Sequence, residues 1–156
     1  MIKLLRIDHR LLHGQVAFSW TKFLESDCIL IASDALMKDE LKMSAMRMAK
    51  PNGIKLVMKS IDDSLKALKS GVTDKYKLFI IVESVEDAYR LIKEYDGIHS
   101  INIGGMKAQD NRKQISKAVF VSEEDIDKLK EMHELGIELE IRLVPNDAKQ
   151  NVIELI

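Results

Sequence analysis

Short, mostly apolar runs recur along the chain: Ile2–Leu5, Cys28–Ala32, Ile54–Met58, Leu78–Val82, Ser100–Ile103, Ala118–Val121 and Leu139–Leu143. Runs of this length, rich in Ile and Val, suit strands covered on both faces. Between most of them lie segments with helical spacing. Val16, Trp20, Phe23 and Leu24 share one face of the first such segment. Leu41, Met43, Met46 and Met48 spread more widely over the second, as core or interface filler, and Leu65 with Leu68 anchors a short third.

Local signals mark where these helices begin and end. Ser60-Ile61-Asp62-Asp63, Ser84-Val85-Glu86-Asp87 and Ser122-Glu123-Glu124-Asp125 each follow an apolar run and fit a capping box. There the serine oxygen accepts from the amide three residues on, and acidic first turns suit the helix dipole. Gly71, Gly97 and Gly136 read as stops, and Pro51-Asn52-Gly53 as a turn before a strand. The expected count is about seven strands alternating with about six helices, and alternation requires crossover connections between parallel strands. The predicted fold is α/β: a single open, twisted, mainly parallel sheet of about seven strands with helices on both faces, one domain over residues 1–156. One strand is a candidate for antiparallel pairing, because a polar stretch from Met106 to Ser116 joins Ser100–Ile103 to Ala118–Val121.

Bulk composition narrows the function classes. A chain of 156 residues suits one domain, and buries roughly 68–70% of its unfolded surface. A net charge of −1 makes no electrostatic case for nucleic acid or an anionic membrane. No apolar run approaches the roughly 18–20 residues of a membrane span, and no signal-peptide core opens the chain, so a cytoplasmic protein without direct membrane insertion is expected. The single cysteine, Cys28, opens an apolar run and reads as a buried, inert thiol.

The densest chemistry lies in Arg6-Ile7-Asp8-His9-Arg10-Leu11-Leu12-His13-Gly14-Gln15-Val16, between the first predicted strand and the first helix. Ligands of α/β sheets bind at the carboxyl ends of strands, and a helix N-terminus offers free amides to a phosphoryl group. A neutral imidazole has one nucleophilic ring nitrogen and can take a phosphoryl group covalently, which makes His13 a candidate nucleophile against the plainer reading of a surface-loop histidine. Gly14 lets backbone approach a ligand, Arg10 offers a planar fork of donors to phosphate oxygens, and Asp8 is placed to orient an imidazole or Arg10. His9 reads as a solvent-exposed side chain. A metal shared by His9 and His13 lacks a third ligand of recognised spacing, so no metal is expected; a phosphoryl transfer served by Arg10 and the helix amides calls for no cofactor either.

Other stretches carry two readings each. Asn102-Ile103-Gly104-Gly105-Met106 is either a loop approaching the same site or a plain turn. Ser33-Asp34 has the same ambiguity, and Asp147 reads as an N-cap for the final segment. Arg112, Lys113 and Lys117 form either a solvated face or part of a docking surface. The chain has no G-x-G-x-x-G, no G-x-x-x-x-G-K-[ST] and no G-x-S-x-G, which removes the main support for a dinucleotide enzyme, a P-loop nucleotidase or a serine hydrolase.

The stretch Arg6 to Val16 resembles the N-terminal signature of the IIB subunits of the mannose/sorbose/fructose family of the bacterial phosphoenolpyruvate–sugar phosphotransferase system. Asn102 to Met106, Arg112 to Lys117, and Leu139 to Pro145 with Asp147 are similar to that family's later landmarks, in order, so the resemblance spans the chain. The departure is His9, where many relatives carry an acidic residue. The resemblance implies an open α/β domain and a phosphohistidine phosphotransferase. His13 would accept phosphate from a IIA protein or domain and pass it to a sugar arriving through the membrane subunits IIC and IID. It also implies Arg10 as a phosphate-binding partner, with Asp8, Gly14 and Gln15 as loop neighbours, and a cytoplasmic chain peripherally attached to the transporter. The alternative is a non-catalytic α/β module that binds a phosphate-bearing ligand at this loop for regulation. A response-regulator-like receiver would need an acidic set that Asp8 and Asp34 do not make.

Overall fold

The computed structural model describes residues 1–156, the side chain of Gln15 excepted. Nine strands form: β1 Ile2–Asp8, β2 Cys28–Ala32, β3 Lys55–Lys59, β4 Leu78–Val82, β5 Ser100–Gly105, β6 Lys113–Ser116, β7 Val119–Val121, β8 Glu138–Ile141 and β9 Gln150–Asn151. Five α-helices accompany them: α1 Gly14–Leu24, α2 Glu40–Ala49, α3 Ile61–Ser70, α4 Val85–Glu94 and α5 Glu123–Glu134. Seven strands make one sheet in the order β3-β2-β4-β1-β5-β8-β9. Every pair in it is parallel except β8 with the two-residue edge strand β9.

Two apolar layers sandwich this sheet. Ile29, Ile31, Phe79 and Ile81 pack with Val16 and Trp20 of α1 and Met43 and Met46 of α2. Leu30, Ile80, Ile101, Ile103, Leu139 and Ile141 pack on the opposite side with Leu65 of α3, Leu91 of α4 and Leu129 and Met132 of α5. Successive side chains of a strand point to opposite faces, so β2 and β4, covered twice, must be apolar throughout. On β5 and β8 the pattern differs. Their α5-side residues are apolar, whereas the opposite face presents Asn102, Gly104 and Glu140, followed by Arg142 just beyond β8. No residue of β5 or β8 belongs to the apolar layer under α1 and α2. That half of the face is where polar side chains are tolerated.

Topology then places a crevice. The connection from β1 runs through α1 towards β2, while β5 leads the other way to β8, so the two chains diverge at adjacent carboxyl ends.

The three serine caps form as the sequence predicts: Ser60, Ser84 and Ser122 accept from the amides of Asp63, Asp87 and Asp125. At Ser122 the box is reciprocal. Several expectations are corrected. Ala118–Val121 does not join the main sheet; Val119–Val121 pairs antiparallel with Lys113–Ser116, a strand without an apolar signal. Asp147 caps no helix. Its carboxylate accepts from the Val144 amide at 3.3 Å, and Asn151 caps the closing 3₁₀ turn. Phe23, Leu41 and Met48 are exposed, leaving Met43 and Met46 as the core methionines of α2. Cys28 is a buried free thiol whose pKa burial pushes up.

At the start of α4, burial and the neighbouring Glu83 push the Asp87 carboxyl up to about 6, against the pull of Arg90. A carboxyl raised in the folded state holds its proton more tightly there than in the unfolded chain. Stability therefore falls as Asp87 ionises between about pH 4 and pH 6. Asp87→Asn is expected to raise unfolding free energy at pH 7 by on the order of 1 kcal/mol, part of the gain being lost with the helix-dipole contact. Denaturant melts at several pH values check this, since the advantage over wild type must vanish below pH 4.

Candidate active site

The chain leaves β1 at Asp8 and turns at once. The Leu11 amide donates to the Asp8 carbonyl at 2.9 Å, and Leu11 adopts φ 58°. A branched residue in the left-handed region costs roughly 1–2 kcal/mol. Burial of Leu11 and Leu12 beneath α1 offsets that strain and pins the loop from below. Between Asp8 and these anchors, Arg10 is pushed to the surface. Its guanidinium makes no hydrogen bond or ion pair with any described residue. Its backbone amide donates to Asp8 Oδ1 at 3.0 Å.

His13 occupies the N-cap position of α1, with extended backbone and no side-chain cap on the helix amides. Its side chain is 21% exposed, against 1% for Asp8, so the ring stands at the rim while its partner lies beneath. Nε2 of His13 lies 3.0 Å from Asp8 Oδ2. An ionised carboxylate only accepts, so in the neutral imidazole Nε2 carries the proton and Nδ1 keeps its lone pair. Burial by itself would raise the Asp8 carboxyl. Hydrogen bonds from His13 and the Arg10 amide, together with the Arg6 charge, outweigh it and hold the group below its ordinary value. The bare nitrogen thus sits on a ring oriented from below, at the positive end of an eleven-residue helix.

Gly14 follows with φ 27°, and a Cβ there would meet no atom within 4 Å, which leaves open space beside the imidazole. The Gln15 side chain, expected at the same loop, lies outside the described part of the structure. Gly104 and Gly105 do abut the site, but as the end of β5 rather than a loop. Gly105 accepts from the His9 amide at 3.1 Å. Its bare Cα faces the His9 ring and Asp8. A Cβ on Gly104 would overlap the Arg6 guanidinium. His9 is not the exposed side chain expected; it is half-buried, with Nδ1 enclosed and unpartnered. Arg112, Lys113 and Lys117 belong to the β6–β7 hairpin, where Arg112 donates to the Lys107 carbonyl at 2.9 Å.

Beneath these residues lies a buried polar layer that the sequence reading missed. Arg6, fully enclosed, reaches Asp8 Oδ2 at 3.2 Å and also Asn102 Oδ1. It donates further to the carbonyls of Arg142 at 3.1 Å and Leu143 at 3.2 Å. The Trp20 ring faces Arg6 and Arg142, and its indole N–H donates to the Leu143 carbonyl at 2.9 Å. One signal is present in the sequence: an arginine set between the apolar residues Leu4, Leu5 and Ile7 of β1.

The chain matches known proteins along its length. The family model described as the sorbose-subfamily IIB component of the phosphotransferase system matches residues 2–156. The fructose-specific EIIB component of Bacillus subtilis is 31% identical over 155 residues, covering 99% of this chain and 95% of the relative. The mannose-specific EIIAB component of Escherichia coli strain K12 is 34% identical over 159 residues, which take in all of this chain and 48% of that protein. The crystal structure of the IIBSor domain of the sorbose permease from Klebsiella pneumoniae superposes with a TM-score of 0.94 at 30% identity, covering 99% of this chain and 94% of that one.

The Asp8–His13 contact can be read directly in solution. Ring-nitrogen chemical shifts of ¹⁵N-histidine-labelled protein above neutral pH should show a protonated Nε2 and a bare Nδ1 at His13. Asp8→Asn should redistribute that proton, because an amide can donate to Nε2 as readily as accept from it.

Proposed function

This chain belongs to the sorbose subfamily of phosphotransferase-system IIB components, and from that premise we propose that His13 is the residue on which it carries phosphate. A IIB component is a phosphotransferase of sugar transport that accepts a phosphoryl group from IIA and passes it to sugar. The observation that carries the assignment is the 3.0 Å contact between His13 Nε2 and the buried Asp8 carboxylate, which leaves Nδ1 nucleophilic on a ring at the molecular rim.

In this reading the lone pair of Nδ1 attacks the phosphorus held on IIA. The new N–P bond forms as the bond to the donor atom breaks, and that electron pair leaves with IIA. In the second half-reaction a sugar hydroxyl oxygen attacks the same phosphorus in line. The P–N electron pair returns to Nδ1, and the hydroxyl proton passes from the sugar oxygen to water. Phosphoryl transfer asks for positioning and charge neutralisation more than for covalent machinery. Arg10, whose guanidinium has no partner among the described residues, supplies a fork for two phosphoryl oxygens. The uncapped amides at the start of α1 supply further donors. Gly14 leaves room for the group to arrive and depart.

No helix of the described residues is long and apolar enough to cross a membrane. The sugar is proposed to reach His13 through separate membrane subunits, IIC and IID, with this chain docking on them from the cytoplasm. The mannose-specific relative from Escherichia coli is named EIIAB, and in the present case the IIA donor is proposed to be a partner protein or domain.

Radiolabelled phosphoenolpyruvate with the upstream carriers is expected to label the protein once, through an acid-labile, base-stable bond. His13→Ala should abolish the label and His9→Ala should keep most of it. Reversible phosphate binding without a covalent label would instead mark a regulatory binding module. Arg10→Lys is expected to slow labelling by roughly tenfold or more, since a point charge cannot replace the fork. A rate within twofold of wild type would remove Arg10 from the site.

A further inference from the structure

We infer that Arg6 is a positioning residue for phosphoryl transfer: by gripping the Asp8 carboxylate from below it fixes which ring nitrogen of His13 faces the phosphorus. The inference rests on the reading of His13 as the carrier and extends it one layer inward.

The placement of Arg6 is difficult to explain by packing. Its strand neighbours Leu5 and Ile7 are fully buried, and an aliphatic side chain at position 6 would satisfy the same sheet. A buried ion pair is often no better for stability than well-packed apolar residues of similar size. The surroundings are nonetheless built around a guanidinium. Both terminal nitrogens are engaged twice, Nη1 by Asn102 Oδ1 and the Arg142 carbonyl, Nη2 by Asp8 Oδ2 and the Leu143 carbonyl. Asn102 donates in turn to the Arg142 carbonyl at 3.2 Å. Trp20 offers its ring 5.2 Å from the guanidinium carbon. Gly104 leaves vacant the volume that the planar group fills. Since Gly104 does not lie in the left-handed region, its lack of a side chain serves that space and not the backbone conformation.

The consequence travels through one oxygen. Asp8 Oδ2 receives both Arg6 Nη2 and His13 Nε2, while Oδ1 receives the Arg10 amide. Three donors from three directions fix the plane of the carboxylate, and the carboxylate fixes the rotation of the imidazole. The charge matters as much as the geometry. With Arg6 present, Asp8 stays ionised and can only accept, so the imidazole proton stays on Nε2. With the guanidinium removed or displaced, a buried carboxylate favours its neutral form. A protonated Asp8 donates to Nε2, the imidazole proton moves to Nδ1, and the attacking lone pair is lost.

Three variants separate this from a merely structural role. Arg6→Gln removes the charge, Arg6→Lys keeps the charge without the fork, and Gly104→Ala displaces the guanidinium while leaving every charge in the chain. Gly104→Ala also stands in if Arg6→Gln fails to fold. Each is measured by ¹⁵N histidine ring shifts and by the rate of phosphate acceptance from phosphorylated IIA. Arg6→Gln and Gly104→Ala are expected to shift His13 towards the Nδ1-protonated form and to slow acceptance by roughly 10–100-fold, the usual scale for partners that orient a functional imidazole. Arg6→Lys should recover much of the tautomer but not all of the rate. Folded Arg6→Gln and Gly104→Ala proteins with wild-type ring shifts and rates within twofold would overturn the inference while leaving His13 as carrier. A wild-type protein that takes no label on His13 would defeat the carrier assignment instead, and the ring shifts would still decide whether Arg6 sets the tautomer.

Discussion

The site depends on one carboxylate oxygen held between two side chains of unlike purpose. Asp8 Oδ2 meets a buried guanidinium on one side and a partly exposed imidazole on the other, at 3.2 Å and 3.0 Å. The first contact makes an ionised acid tolerable in the interior. The second uses that ionisation at the surface. Neither works alone: the acid without Arg6 would drift towards its neutral form, and the ring without the acid would turn freely and carry its proton on either nitrogen. A pair of charges below the rim is converted into a definite orientation above it.

The sheet makes room for this arrangement by being covered unevenly. Helices α1 and α2 seal the face of β1, β2 and β4, while α3, α4 and α5 seal the other. Past β1, on the α1 side, β5 and β8 carry Asn102, Gly104 and Glu140, and the chain after β8 folds back so that the carbonyls of Arg142 and Leu143 cap Arg6. A fully wound sheet with a helix over that half would have demanded apolar residues there and left nowhere to seat a charged pair. The polar layer, the crevice between β1 and β5, and the exposed end of α1 are thus consequences of one topological choice.

How much of this was legible in the sequence follows from how local each cause is. Strands β2 and β4 appear in the sequence at their observed limits, since covering on both faces leaves no polar residue to blur the run. The serine caps are as plain, because cap and partner lie within one turn. The loop from Asp8 to His13 stands out by its crowding of charge, although nothing local sorts its exposed Arg10 from its buried Asp8 and half-buried His9. What failed is what depends on distant partners. Arg6 and Asn102 are 96 positions apart, and only the parallel pairing of β1 with β5 sets them face to face. The double glycine is plain in the sequence, yet its reason, a guanidinium pressed against Gly104, is invisible without that pairing. Strand β6, charged and short, is a strand only because Val119–Val121 lies beside it.

Trp20 gives this layout a practical corollary. It is the chain's single tryptophan, and its indole lies 5.2 Å from one guanidinium carbon and 5.0 Å from another, with its N–H tied to the backbone between β8 and the loop beyond. The tryptophan emission of this protein therefore originates beside the pair of cations that lie under the candidate site. Any rearrangement of those cations alters the field across the fluorophore. Nature has left an optical gauge inside the machine, and no dye need be attached to read it.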